Sequence, residues 1–361
     1  MKKITIRTNT LDYAADKAIL FMASLSLLVF VMFVWTIAEA TKVNAKNTTA
    51  TNEQSCGGKN LIAEYAANDP DTLKLIEENA AKIINGNSVF WKIEKPGIPT
   101  SYLLGTMHMA DERIAKLEGK RLLAFNQTDL LIVENTDALD PAEAQAAMAK
   151  LQHLTMLKTE SLNDLLDAET LKRLEPAITA RGIPFAIATK LRPWLVATTI
   201  SIPVCEIAAK KSGKPVLDEL LAQKAKEAGK KIIGLETVEE QLSAIANMPR
   251  EFHISALKET LYLGDEIKDV METLKQLYIE GDISKIQPLM KVISPKTSSL
   301  SDNKRFEEQL IINRNKIMAT RAAPYLEKGN VFLAVGALHL PDQTGLVKLI
   351  RDLGYSVTAV K

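Results

Sequence analysis

A chain of 361 residues with 47% hydrophobic content has apolar mass for a large buried core, so disorder is excluded as its default state. Lys plus Arg (45) and Asp plus Glu (44) nearly cancel, and no basic stripe with interleaved aromatics occurs, which removes the electrostatic footprint of a nucleic-acid binder. With only two cysteines and four histidines in the chain, the position of each is informative.

Lys2, Lys3, Arg7 and Lys17 precede an uncharged stretch over residues 18–38, AILFMASLSLLVFVMFVWTIA. About 20 helical residues at about 1.5 Å rise cross a bilayer core of roughly 30 Å, so this segment belongs in a membrane, at least during export. Two readings stand. The basic start and the Ala38-Glu39-Ala40 ending fit a cleavable signal peptide, whereas the apolar run exceeds the roughly 7–15 residues usual for one and fits an uncleaved anchor. In both, residues 1–17 stay in the cytoplasm and 18–40 form the signal or anchor. The remainder is exported, either free in the periplasm or held on the periplasmic face of the inner membrane.

Residues 41–58, TKVNAKNTTATNEQSCGG, are polar and aperiodic and read as a linker. No second break of this kind follows, which predicts one exported domain over 59–361. An oxidising compartment would favour pairing Cys56 with Cys205. Two separate buried thiols are the other reading, because sequence gives no Cα separation.

Within the domain, 88–96 (SVFWKIEKP) and 101–108 (SYLLGTMH) predict two strands joined by a Pro-Gly turn, followed by a helix over 112–125. A third strand is predicted at 129–135 (DLLIVEN), then a helix over 140–154 opened by Asp140 and Pro141. Residues 160–290 are mostly amphipathic helix, broken at 214–237 by a short strand, a helix and another short strand ending at Glu236. A helix over 303–328, a strand at 330–338, a helix over 344–353 and a strand at 356–360 complete the chain. The fold class is therefore α/β: a central mixed sheet with helices on both faces and a helical insert, about 160–290, between its two halves.

Ligands of open α/β sheets bind beyond the carboxyl ends of strands, where the predicted elements place His108, Glu134, Glu236 and His339. Residues 101–111, SYLLGTMHMAD, and 333–342, LAVGALHLPD, repeat one pattern: an apolar run, a glycine, two residues, a histidine, two more, an aspartate. A glycine three residues before each histidine allows a tight turn or a close backbone approach. If the two strands are neighbours, both imidazoles enter one crevice, and Glu134 brings a carboxylate to the same rim. Two neutral imidazoles and a carboxylate form a set that holds a divalent transition metal and activates its bound water. The same set without metal would serve as general base and orienting acid.

The other candidates are weaker. His153 closes a helix and His253 starts one, which predicts surface or capping roles. Asp111 and Asp342 are either partners of the imidazoles or helix N-caps, with capping favoured. Arg314, in INRNKIMATR, is either a clamp for a carboxylate or an oxyanion or a solvated helix charge.

Taken together, YLLGTMHMAD, LLIVEN, VLDELLAQKAKEAGKKIIGLETVEEQL, RNKIMA and VGALHLPDQTGLVKLIRDLGYSV resemble the TraB/GumN family. That family includes the Tiki-type metalloproteases and has distant erythromycin-esterase-like and ChaN-like relatives. The resemblance covers about residue 90 to the C-terminus and implies one α/β domain with an active site of His108, Glu134, Arg314 and His339. The metal would sit on His108, Glu134 and His339. Glu236 falls in a family block without a role assigned to it. The Tiki branch implies peptide-bond hydrolysis assisted by manganese or cobalt, with a peptide as partner. The alternatives are a non-catalytic protein that binds and restrains a peptide pheromone, or one that binds haem or iron; aromatics at 5% argue against a haem pocket. One departure stands out. PDQTG has an aspartate after the proline where the family more often has glycine, which bears on the turn following His339.

Overall fold

The computed structural model describes residues 56–139, 141–293 and 300–360. The expected membrane segment, 18–40, and nearly all of the expected linker lie outside them. Among the described residues no helix is long and apolar enough to cross a membrane.

Strands β1 (Phe90–Lys95) and β2 (Ile98–Thr106) form the expected hairpin. Pro96 supplies a fixed φ and Gly97 a positive one, +78°, as a tight Pro-Gly turn requires. The remaining strands are β3 (Leu130–Val133), β4 (Lys231–Gly234), β5 (Val331–Gly336) and β6 (Ser356–Ala359), and the sheet runs β4-β3-β5-β2-β1-β6. The first four in that order are mutually parallel, while β1 pairs antiparallel with both β2 and β6.

Side chains that alternate along the strands feed two cores, as a two-residue period demands. On β5, Val331, Leu333 and Val335 enter the larger core and Phe332 and Ala334 the smaller one. The smaller core is closed by the helices Gly119–Gln127, through Ala124 and Phe125, and Leu217–Glu227, through Leu217, Leu221 and Ala225. Helices Ile267–Glu280, Asn313–Leu326 and Leu346–Asp352 contribute to the larger core. Helices thus cover both faces of a mixed sheet.

As expected, the helical stretch 160–290 is interrupted by a strand just before Glu236, β4, which joins the sheet edge beside β3. The local differences from expectation have identifiable causes. Residues 214–216 form no strand, because the Val216 N–H is taken by Glu219 Oε2 at 3.2 Å and the chain turns directly into helix Leu217–Glu227. The helix expected from 112 begins at Gly119, since Asp111 Oδ1 accepts from the Arg113 backbone N–H at 3.0 Å and holds a turn there. In the long C-terminal helix, Leu300–Glu307 and Asn313–Leu326 are joined by a π segment, Glu308–Ile312. Cys56 and Cys205 are joined by a disulfide with Cα atoms 5.4 Å apart.

Candidate active site

Because β4, β3, β5 and β2 are parallel neighbours, their carboxyl ends share one edge. Glu236, Glu134, His339 and His108 follow those four ends in the same spatial order. The two Gly-x-x-His strands, β2 and β5, lie side by side, with Gly105 opposite Val335 and Thr106 opposite Gly336.

The two glycines have different reasons to be small. A Cβ on Gly105 would lie 2.9 Å from the Ala337 Cα, so this residue clears space for the other histidine's turn. A Cβ on Gly336 would lie 3.0 Å from Glu134 Oε1, and the Gly336 N–H donates to that same oxygen at 2.6 Å. Neither glycine has a positive φ. What each provides is room for its neighbour.

His108 Nδ1 sits 2.8 Å from Asp218 Oδ2, and the other oxygen of Asp218 accepts from Thr106 Oγ1 at 2.9 Å. A carboxylate only accepts, so Nδ1 carries a proton and Nε2 is the atom left to face the site. Burial pushes the ring's pKa down, but Asp218, with smaller help from Glu134 and Glu219, overrides it and raises the pKa to about 9.

His339 is 1% exposed, and its Nδ1 lies 2.6 Å from Asn315 Oδ1. The Asn315 amide group donates to the Thr344 carbonyl at 2.8 Å, which fixes the orientation of the side chain and makes Oδ1 the acceptor for His339. Burial and then the nearby Arg314 charge lower this imidazole to about 3. Its Nε2 has no hydrogen-bond partner among the described residues and lies 4.0 Å from Glu134 Oε1.

Burial would raise the pKa of Glu134, but Arg314, the two histidines and the Gly336 N–H hold it at about 2. Glu134 Oε2 accepts from Arg314 Nη2 and from Gln241 Nε2, both at 2.9 Å. Arg314, 4% exposed, also grips Glu236 through Nε at 3.0 Å and Nη2 at 2.7 Å, while Nη1 donates to the Leu310 carbonyl of the π segment at 3.3 Å. It is therefore no solvated helix charge. Its Nε and Nη2 donors are engaged with the two carboxylates.

His108 and His339 line one cavity, walled on its apolar side by Met107, Leu274, Tyr278, Ile286 and Leu338. Tyr278 Oη donates to the Gly105 carbonyl at 2.8 Å, and burial pushes its pKa up to about 12. Among the described residues no three His, Cys, Asp or Glu side chains stand as a ready-made metal cage. The donor chemistry nevertheless fits a divalent metal. Each Nδ1 is anchored to a buried acceptor, which frees Nε2 as a ligand, the Nε2 of His339 is an orphaned buried atom, and a carboxylate lies beside it.

Asp218, Asn315 and Gln241 were not singled out in the sequence, although all three fall inside the quoted blocks VLDELL, RNKIMA and VEEQL. Other expectations need correction. His253 is buried, not on the surface, with Nε2 at 3.0 Å from the Ile245 carbonyl, because it lies on the face of helix Arg250–Leu263 that also buries Phe252, Ala256, Leu257 and Thr260. His153 is exposed as expected. Asp111 neither caps a regular helix nor touches His108; it binds Arg113 and Lys275. Asp342 does not touch His339 but takes φ +74° directly after Pro341. That is a left-handed conformation, which explains the preference for glycine there, and aspartate is among the few other residues that tolerate it.

Residues 89–359 match the sequence model of the TraB/PrgY/gumN family. The chain is 26% identical over 322 residues to the metalloprotease TIKI2 of Danio rerio, covering 75% of this chain and 60% of that protein. It is 26% identical over 318 residues to the metalloprotease TIKI1 of Homo sapiens, covering 75% and 61%. Its similarity to the protein YbaP of Shigella flexneri is 22% over 274 residues, covering 74% and 95%. The chain thus spans about 60% of the length of these Tiki relatives. No solved structure matches it.

Proposed function

The chain belongs to the TraB/PrgY/gumN family, and from that premise we propose that it is a metal-dependent peptide hydrolase acting at the carboxyl edge of its parallel strands. One observation carries the reading: two imidazoles from adjacent strands, each anchored through Nδ1, line one cavity with Glu134 beside them. His108, His339 and Glu134 would hold a divalent cation, with manganese or cobalt the ions the family resemblance implies. When bound, such an ion polarises a carbonyl and makes water a stronger nucleophile.

The protein's own groups prepare that site. Asp218 and Asn315 fix ring orientation and direct each Nε2 toward the cavity. Arg314, Gln241 and the Gly336 N–H keep Glu134 ionised and immobile. This gives Arg314 a positioning role in preference to that of an oxyanion donor, because its hydrogen bonds go to carboxylates. Met107, Leu274, Ile286 and Leu338 limit water around the imidazoles. The substrate is a peptide met outside the cytoplasm, reached by export through the 18–40 segment acting as signal or anchor.

The test is turnover of a diverse peptide library by the purified full chain with manganese or cobalt added. Cleavage that stops on chelation and returns on adding metal back is the expected result. Folded, metal-loaded protein that binds peptides and cleaves none would replace this reading with that of a peptide-restraining protein.

A further inference from the structure

Behind the His108 turn lies a second set of buried charges that the chemistry above does not use. Lys275, on helix Ile267–Glu280, is 2% exposed. Its Nζ donates to Glu206 Oε1 and to Asp111 Oδ2, each at 3.1 Å, with Glu272 Oε2 at 3.7 Å. Arg113 joins Asp111 to Glu272 from the solvent side, with contacts of 2.7 Å to each. The other oxygen of Glu206 accepts the backbone N–H of Ala110 at 3.1 Å. Ala110 is two residues past His108, and Glu206 directly follows Cys205 of the disulfide.

β2 ends at Thr106, so the His108 backbone lies beyond the sheet ladder and needs other restraints. A buried ion cluster seldom gains much net stability over apolar packing of equal volume, but it does specify position, because a displaced partner leaves an uncompensated charge. Here the position specified is that of the segment 107–111. The helix bearing Lys275 also carries Tyr278, which holds the Gly105 carbonyl. The turn is thus gripped before the histidine by Tyr278 and after it by Glu206.

We propose that Glu206 is a positioning residue for His108, clamped from behind by the Cys56–Cys205 disulfide, so that the two together set how tightly the site captures a divalent cation. The link to metal capture rests on the functional reading above, whereas the link to the His108 turn rests on the contacts alone.

The experiment titrates manganese(II) alone into the full chain, with free ion read by electron paramagnetic resonance. Hydrogen–deuterium exchange over residues 107–111 is measured on the metal-free protein alongside. Glu206→Ala and the double variant Cys56→Ser/Cys205→Ser should each weaken manganese binding about tenfold or more, the usual size of an outer-partner effect on a metal ligand, and speed exchange at Ala110. Glu206→Gln, which retains an oxygen for the Ala110 N–H, should recover most of both effects. Folded Glu206→Ala with wild-type affinity and exchange would overturn the proposal. If Glu206→Ala does not fold, the double cysteine variant decides by the same two readouts, and unchanged values in it overturn the proposal. A wild-type chain that takes up no manganese would sink the metal reading, while the exchange data would still decide whether Glu206 positions the turn.

Discussion

The two Gly-x-x-His turns are spelled alike, end adjacent parallel strands in register, and present their rings to one cavity, yet their imidazoles are electrostatically opposite. His108 is paired with a carboxylate, Asp218, and its pKa is raised to about 9. His339 is paired with a neutral amide, Asn315, lies close to the Arg314 charge, and is lowered to about 3. The turn places the ring, but helices from elsewhere in the chain decide whether it takes up a second proton and becomes charged. In the metal-free protein at neutral pH this leaves one imidazolium and one imidazole side by side, with Glu134 ionised next to the neutral ring.

The largest expected effect comes from breaking the His339 side. Arg314→Met leaves Glu134 and Glu236 as buried carboxylates without their shared cation, and should cost about 3–5 kcal/mol in urea denaturation or abolish folding. The Asp218–His108 contact has no part in this, so Arg314→Met as stable as wild type would mean that the asymmetry is not built as described.

The next effect is the pH profile of the metal-free protein. The pKa of His108 is raised in the folded state, so its contribution is fully present below 6.5 and is lost as pH rises from 6.5 through about 9, on the order of 3 kcal/mol. His339, lowered to about 3, and His253, lowered to about 4 mainly by burial, act in the other direction: the unfolded chain binds protons that the fold refuses, and stability falls as pH drops from 6.5 toward those values. Urea denaturation between pH 4.5 and 9.5 should show a maximum near neutrality. His253→Gln should shrink the acid limb and leave the alkaline limb unchanged; an alkaline limb that persists in His108→Gln would detach it from this histidine.

Exchanging the partners sharpens the comparison at smaller cost. Asp218→Asn should bring the His108 ring back toward its ordinary range near 6.5, and Asn315→Asp should raise the His339 ring, both followed by NMR of the imidazole carbons during a pH titration. Rings that keep their wild-type behaviour after the exchange would show that the distant helices do not control them. The smallest effect separates the two glycines. Gly105→Ala drives a Cβ into the Ala337 backbone and should cost about 1–3 kcal/mol. Gly336→Ala meets a side-chain oxygen of Glu134 and no backbone atom, a looser 3.0 Å approach, and should cost less in urea denaturation of the two variants.

How much of this was legible in the sequence follows from how local each signal is. Six of the expected strands, the Pro-Gly hairpin and the two Gly-x-x-His turns are encoded within about ten residues, as is Glu134 after LLIV, and these appear where the pattern places them, whereas the short strand expected at 214–216 does not form. Asp218 reads as one polar residue at the start of an amphipathic helix. Nothing near it in the chain indicates His108, because that contact spans 110 positions. Asn315 and Gln241 were hidden in the same way, and Arg314 was legible as a candidate but not as a bridge between two carboxylates. His253 was misplaced because a histidine near the start of an amphipathic helix looks the same in sequence whether it falls on the packed face or on the solvent face.

The claim that the two turns build one metal site is tested most directly by pulsed electron paramagnetic resonance on the manganese-loaded full chain with 15N-labelled histidine. Two directly bound imidazole nitrogens are expected in the wild type, and one in either His108→Ala or His339→Ala. Bound manganese with no imidazole coupling in the wild type, or with two couplings surviving in either single variant, would contradict it.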